Sequence, residues 1–267
     1  MARIELTFDA ADDLVRAFEG GRFPDTGSLP SLFVGDLGPA IELALQSKAE
    51  RFPHINVCLT SEEPDCQFFL SALLDGSAFW FSGGRTSGFL RTTYNLLSES
   101  PNTARTDFLI AVKAAAEKAG FHADTARSFA AAIREMESNI FEHSSHATSG
   151  ILAFSVNKSR FEFIVADAGL GVLATLREAP EYQSLSDHGE ALQTTLQRGA
   201  SRHGLSANRG NGFNELFVGL ANLNADLRFR SGDHALTISG GSPSTKVSML
   251  SQHGHFQGFL MSARCRV

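Results

Sequence analysis

The stretch from residue 151 to residue 171 constrains this chain most. Ile151 to Val156 and Phe161 to Ala166 are two apolar runs rich in β-branched and aromatic residues, separated by the polar residues Asn157-Lys158-Ser159. Two such runs around a short polar turn are the pattern of an antiparallel hairpin. The second run ends in Asp167-Ala-Gly169-Leu-Gly171, a carboxylate that can only accept hydrogen bonds followed by two glycines spaced two apart. Glycine tolerates positive φ and lets other groups approach the backbone closely. The loop is therefore either a plain turn after a strand or the cradle of a ligand.

Helical patterns lie on the N-terminal side of the hairpin. Asp107 to Ala119 reads as a helix closed by Gly120, and Asp124 can cap a longer helix through about His143. In the longer one Phe129, Ile133, Met136 and Ile140 recur at helical spacing and define the face that packs on a sheet. Glu135, Asn139 and His143 form a second stripe, drifting only about 40° per step and running along the border of that face. The residue types suit a magnesium nucleotide. Asn139 offers a neutral oxygen to a hard cation, Glu135 can accept a proton from an attacking group, and His143 can approach a phosphate. Taken alone, the triplet fits the polar border of a half-exposed helix better.

A third feature is Ser206 to Leu216, where Arg209-Gly210-Asn211-Gly212 leads into a segment of helical character, Asn214 to Leu223. A helix start presents free N–H groups to an anion, and Arg209 adds charge for phosphate, although a flexible loop explains the glycines equally well. Roughly forty residues rich in Ser, Gly, Gln and Arg separate Gly171 from Gly210, more than an ordinary connection, and their position suits a lid. Further on, Asp226 to Arg230 and Ala235 to Ser239 read as two strands flanking Ser231-Gly232-Asp233, and Phe256 to Val267 as a last strand. His253 and His255 sit in what reads as a turn and lack the further ligands of a zinc site.

The first part of the chain alternates short elements: Ile4 to Phe8 extended, Leu37 to Arg51 helical, Ile55 to Leu59 extended, Cys66 to Leu74 helical. The polar stretch 97–106, with Pro101, is the best candidate for a linker. The expected organisation is a small α/β domain over 1–96, a linker over 97–106 and a second domain over 107–267. The fold class is α/β, in the form of an α+β two-layer sandwich.

Totals limit the function. The 267 residues are 43% apolar and 19% charged, which is globular composition. A net charge of -6 without a basic run argues against nucleic acid. Cys58, Cys66 and Cys265 have no CxxC spacing and form no disulfide framework. The acidic N-terminal segment and the lack of any uncharged apolar run approaching about 18 residues lead us to expect a cytoplasmic protein without a membrane span.

In order, Glu135-xxx-Asn139-xxx-His143, Asp167-x-Gly169-x-Gly171 and Gly210-x-Gly212 resemble the N box and the two glycine boxes of the GHKL ATP-binding superfamily, which includes DNA gyrase and the ATP-binding domains of histidine kinases. The segment ESNIFEHS is similar to that of stand-alone anti-sigma-factor serine kinases, and no phosphoacceptor hairpin precedes it. The resemblance implies a Bergerat fold: a mixed, largely antiparallel sheet with helices on one face, and ATP held under a mobile lid. It implies that Asn139 coordinates Mg²⁺, Asp167 binds the adenine amine, Gly169 and Gly171 border the adenine, and Gly210 and Gly212 meet the phosphates. Glu135 would be the catalytic base.

Two features depart from the family pattern. Gly258 is followed by Phe259 where a Gly-Thr pair is common, and the second glycine box is shorter than GxxGxG. The N-terminal part resembles STAS-like domains, which implies a regulatory domain joined in one chain to the kind of kinase that acts on such domains, and the expected partner is a regulatory protein such as one of STAS type. A homodimer through an exposed edge or face of the first hundred residues is compatible with the pattern. The expected activity is that of a serine/threonine kinase or ATPase in signal transduction. Its alternatives are a protein-interaction module switched by ATP without hydrolysis, and a scaffold that has lost the nucleotide.

Overall fold

The structure is a computed structural model that describes residues 3–21, 31–48, 59–93, 101–196, 219–220, 223, 225–240 and 248–267. Its first elements are β1 (Arg3–Leu6), α1 (Phe8–Glu19), β2 (Ser31–Val34), α2 (Leu37–Lys48), β3 (Leu59–Thr60) and α3 (Pro64–Leu74). There follow β4 (Phe79–Phe81), β5 (Ser87–Arg91), α4 (Pro101–Lys118), α5 (Ala123–His143), β6 (Ile151–Asn157) and β7 (Arg160–Asp167). The last elements are α6 (Gly171–Leu176), α7 (His188–Thr195), β8 (Asp226–Ile238) and β9 (Ser248–Arg266). The class is the expected α+β sandwich.

Two sheets divide the work. β1, β2 and β3 pair in parallel in that order, while the six-stranded sheet runs β4-β5-β6-β7-β9-β8 with every pairing antiparallel. Side chains of a strand alternate between faces, and the larger sheet buries both. Phe154, Phe161, Phe163 and Val165 meet α4 and α5 through Phe108, Val112, Phe129, Ile133 and Met136 in one core. Phe129 stacks on Phe161 at 4.9 Å between centroids, and Phe108 meets Phe154 edge-on at 5.4 Å. Each such side chain contributes about 1.5–3 kcal/mol by leaving water.

The alternate residues Ile151, Ala153, Ile164, Ala166 and Leu260 point the other way. They share a second core with Leu14, Val15, Ile41, Ala44, Phe69 and the strands of the small sheet. Helices α1, α2 and α3 thus lie between the two sheets, and the N-terminal unit covers the second face of the large one.

Several boundaries differ from the sequence reading. Thr7 caps α1 by accepting from Ala10 N at 3.1 Å, so Phe8 is helical rather than extended. Residues 101–106 are the first turns of α4 and not linker: the fixed φ of a proline suits a first helical position, where its missing N–H costs nothing. Moreover, β4 and β5, assigned by sequence to the first domain, are strands of the large sheet, so the 97–106 boundary falls inside one sheet. The N-cap of α5 is His122, whose ring accepts from Asp124 N at 3.4 Å, and Asp124 lies in the first turn. Asp226 to Ile238 is one strand: the register shifts at Ser231-Gly232-Asp233 make a bulge where a turn was expected. His253 and His255 lie within β9, which begins at Ser248 rather than Phe256. Most of Ile55 to Leu59 lies outside the described residues.

Candidate functional site

Asp167 is the last residue of β7 and continues the face that carries Phe161, Phe163 and Val165, so its carboxyl points to the α5 side of the sheet. The residue is only 5% exposed, and its Oδ1 accepts from Gly169 N at 2.7 Å. Burial pushes its pKa up to about 6, against the pull of the Gly169 N–H and of nearby His146.

The loop after Asp167 is held on every side. Ala168 N donates to Ser149 Oγ at 3.0 Å, Leu170 N to Ser144 O at 3.0 Å and Val172 N to Ser231 Oγ at 3.0 Å. Gln257 Nε2 donates to Gly169 O at 2.6 Å, and Ser231 Oγ donates to Gly258 O at 2.9 Å. A Cβ on Gly169 would lie 2.2 Å from Ser144 O, and one on Gly258, where φ is +88°, 2.1 Å from Asp167 O. Gly171 has φ +77° and starts α6. These glycines let three backbones converge: the end of α5, the Asp167 loop and the bulge of β9. Close packing and positive φ account for Gly169 and Gly171 without a ligand.

The bulges explain how β9 reaches the loop. Ser231 pairs with Phe259 and Gly232 with Phe256, one step on β8 against three on β9, so Gln257 and Gly258 are extra residues. They sit where β7 ends, since Asp167 pairs with Phe259.

The α5 stripe is only partly gathered here. Phe129, Ile133, Met136 and Ile140 are buried as the spacing predicted. His143 is at the C-terminal end of the helix, where its carbonyl accepts from Thr175 Oγ1 of α6 at 3.3 Å. Asn139, one turn earlier, is half-buried. Among the described residues its side chain has one hydrogen-bond contact, from Nδ2 to Met136 Sδ at 3.7 Å, and none at the amide oxygen. Glu135, two turns from His143, is exposed to solvent. The buried acid of this helix is instead Glu137, which pairs with Arg105 of α4 at 2.5 Å.

Arg209, Gly210 and Gly212 lie outside the described residues, as does most of the lid expected between Gly171 and Gly210. Its described portion is ordered into α6, a short turn of helix at Pro180–Tyr182, and α7. Leu173, Leu176, Leu185 and Ala191 form its small core, and Leu192 joins the main one. Sequence reading missed Ser144, Ser149, Ser231 and Gln257, all of which bind the Asp167 loop. A Ser or Gln inside a strand or at a helix end carries no signal of its own. Gly258 stood out only as the residue before Phe259, and the structure sets it against Asp167.

Among the described residues no group of three or more His, Cys, Asp or Glu could hold a metal ion, and no helix is long and apolar enough to cross a membrane. No protein-family model, curated protein or solved structure matches this chain.

Proposed function

We propose that the chain binds Mg-ATP on the α5 side of the large sheet, as a GHKL-type protein that acts as a serine/threonine kinase or ATPase. The observation that carries this reading is Asp167, a buried carboxyl at a strand end whose Oδ1 is held by Gly169 N–H. An acceptor placed so, beside the helix that carries Asn139 and His143, suits the exocyclic amine of adenine. Asn139 Oδ1 would be the protein's ligand to Mg²⁺, the remaining sites being filled by phosphate and water. The resemblance assigns Gly210 and Gly212 to phosphate and Gly169 and Gly171 to the adenine border, while His143 and Arg209 are assigned to phosphate by their chemistry. Glu135 is assigned the role of base, acting on a partner's hydroxyl or on water.

The exposure of Glu135, away from the Asp167 loop, favours a second reading: nucleotide binding that orders the lid and switches affinity for a regulatory protein, such as a STAS-type partner, without turnover. Glu135→Gln separates the two. It abolishes phosphoryl transfer in the first and leaves ATP-dependent partner binding intact in the second.

Calorimetric titration of Mg-ATP into wild type and Asp167→Asn tests the site itself. Asn keeps an oxygen for Gly169 N–H but turns an N–H₂ toward the adenine amine, so affinity should fall by about a hundredfold, ~2.7 kcal/mol. Absence of heat from folded wild-type protein would end the nucleotide reading.

A further inference from the structure

On the opposite face of the large sheet a cleft of about 340 Å³ opens between the N-terminal unit and the strands. Leu45 and Gln46 at the end of α2 form one wall, and Arg91 of β5 and Phe256 of β9 lie among the residues opposite. No Asp or Glu lines it among the described residues. Its volume is at the small end of the range that holds organic ligands.

Arg91 is the unusual member. Its Nε donates to Ser77 O at 3.0 Å and its Nη2 to Leu73 O at 2.8 Å, which fixes the guanidinium against the C-terminal end of α3. A cation there is favourable to the helix, so capping accounts for part of the arrangement. It does not account for the remainder. A guanidinium carries five N–H groups, and two are used, both by neutral carbonyls. None of the ion pairs among the described residues includes Arg91, whereas Arg105, Arg228, Arg230 and Arg264 all face carboxylates. Burial draws the Arg91 pKa below its ordinary value, with no acid to offset it. Across the cleft, the Oε1 of Gln46 is buried and without a hydrogen-bond partner.

We propose that this cleft is a binding site for a small organic carboxylate, whose two oxygens take the free edge of the Arg91 guanidinium while its apolar body lies against Leu45 and Phe256. Among the described lining residues Arg91 is the one Lys or Arg, with His255 the one other basic side chain, which suits a monoanion better than a di- or triphosphate. The planar fork matches a carboxylate in shape. This site opens on the other face of the sheet from the proposed nucleotide pocket, although Ala168 in its wall is the back of the loop that presents Asp167, and Ser149 and Gln257 beside it hold that loop.

The test is ligand-observed fluorine NMR on the full chain with 4-fluorobenzoate, its neutral counterpart 4-fluorobenzamide, and 4-fluorophenyl phosphate. The expected result is broadening of the benzoate signal and not of the amide. The affinity should fall about tenfold or more in Arg91→Gln, fall less in Arg91→Lys, and be unchanged in Asp167→Asn. The last variant keeps this result distinct from the fate of the nucleotide site. Equal binding of the amide, a preference for the phosphate, undiminished benzoate binding by folded Arg91→Gln, or no binding by folded wild type each overturns the proposal. If Arg91→Gln does not fold, Leu45→Trp fills the cleft from the other wall with Arg91 in place. Retained benzoate binding in that variant overturns the proposal equally.

Discussion

At the scale of single residues, Asp167 makes a prediction that is independent of any ligand. Its pKa lies at about 6 in the folded chain, above the ordinary 3.8. A folded state that holds its proton more tightly than the unfolded chain loses stability as pH rises through that window. Sign and size follow: above pH 6 the buried carboxylate costs on the order of 2–3 kcal/mol, and below pH 4 the cost is gone. Asp167→Asn keeps the acceptor for Gly169 N–H and removes the charge. Denaturant melts should therefore find the variant more stable than wild type at pH 7.5, with the gap closing between pH 6 and pH 4. A gap independent of pH would mean that the carboxyl is not desolvated as described. With Asp167 as the proposed acceptor for the adenine amine, Mg-ATP affinity should weaken as the pH drops below about 6, where Asp167 takes up its proton.

At the scale of elements, Gly258 and Gly76 separate two effects that sequence cannot distinguish. Both have positive φ, +88° and +81°, but a Cβ on Gly76 meets nothing within 4 Å, while one on Gly258 runs into the backbone of Asp167 and Gly169. Gly76→Ala should cost about 1–2 kcal/mol from φ alone, and Gly258→Ala about 1–3 kcal/mol beyond that from overpacking. Paired thermal melts check the difference, and equal losses would show that the β9 bulge yields freely. The same elements show what was legible. Helix α5 and the β6–β7 hairpin declared themselves because each buries one face through a local period and ends at a local signal. The Asp167 loop was legible as a carboxylate and two glycines. Its supports were not, because Ser144, Ser231 and Gln257 come from other elements, and such contacts follow from pairing across the fold. Ser231-Gly232-Asp233 has turn chemistry yet lies mid-strand, opposite the extra residues that bulge from β9. Pro101 was read as a linker residue because proline punctuates loops and opens helices alike.

At the scale of the whole molecule, the N-terminal unit is fastened to the large sheet by buried charge as well as by apolar packing. Arg228 of β8 donates to both oxygens of Asp12 in α1, at 2.9 and 3.0 Å, and to Glu42 in α2 at 3.1 Å. Arg230 donates to Glu42 at 3.1 Å and to Gly232 O and His234 O at 3.0 Å, which ties the stretch of β8 facing the β9 bulge to the same cluster. Two arginines thus face two acids, and all four side chains are at most 5% exposed. Such a set adds little over a well-packed apolar one, but it is intolerant of losing a member, because an unmatched charge stays buried. Glu42 serves both arginines and is the member whose loss is hardest to redistribute. Glu42→Gln should cost about 3–5 kcal/mol. Hydrogen exchange should localise the loss, with amides of α1, α2 and β8 opening before those of β6 and β7, because the core against α4 and α5 does not depend on the cluster. A variant within about 1 kcal/mol of wild type, or one that opens uniformly, would show that apolar packing alone holds the unit on the sheet.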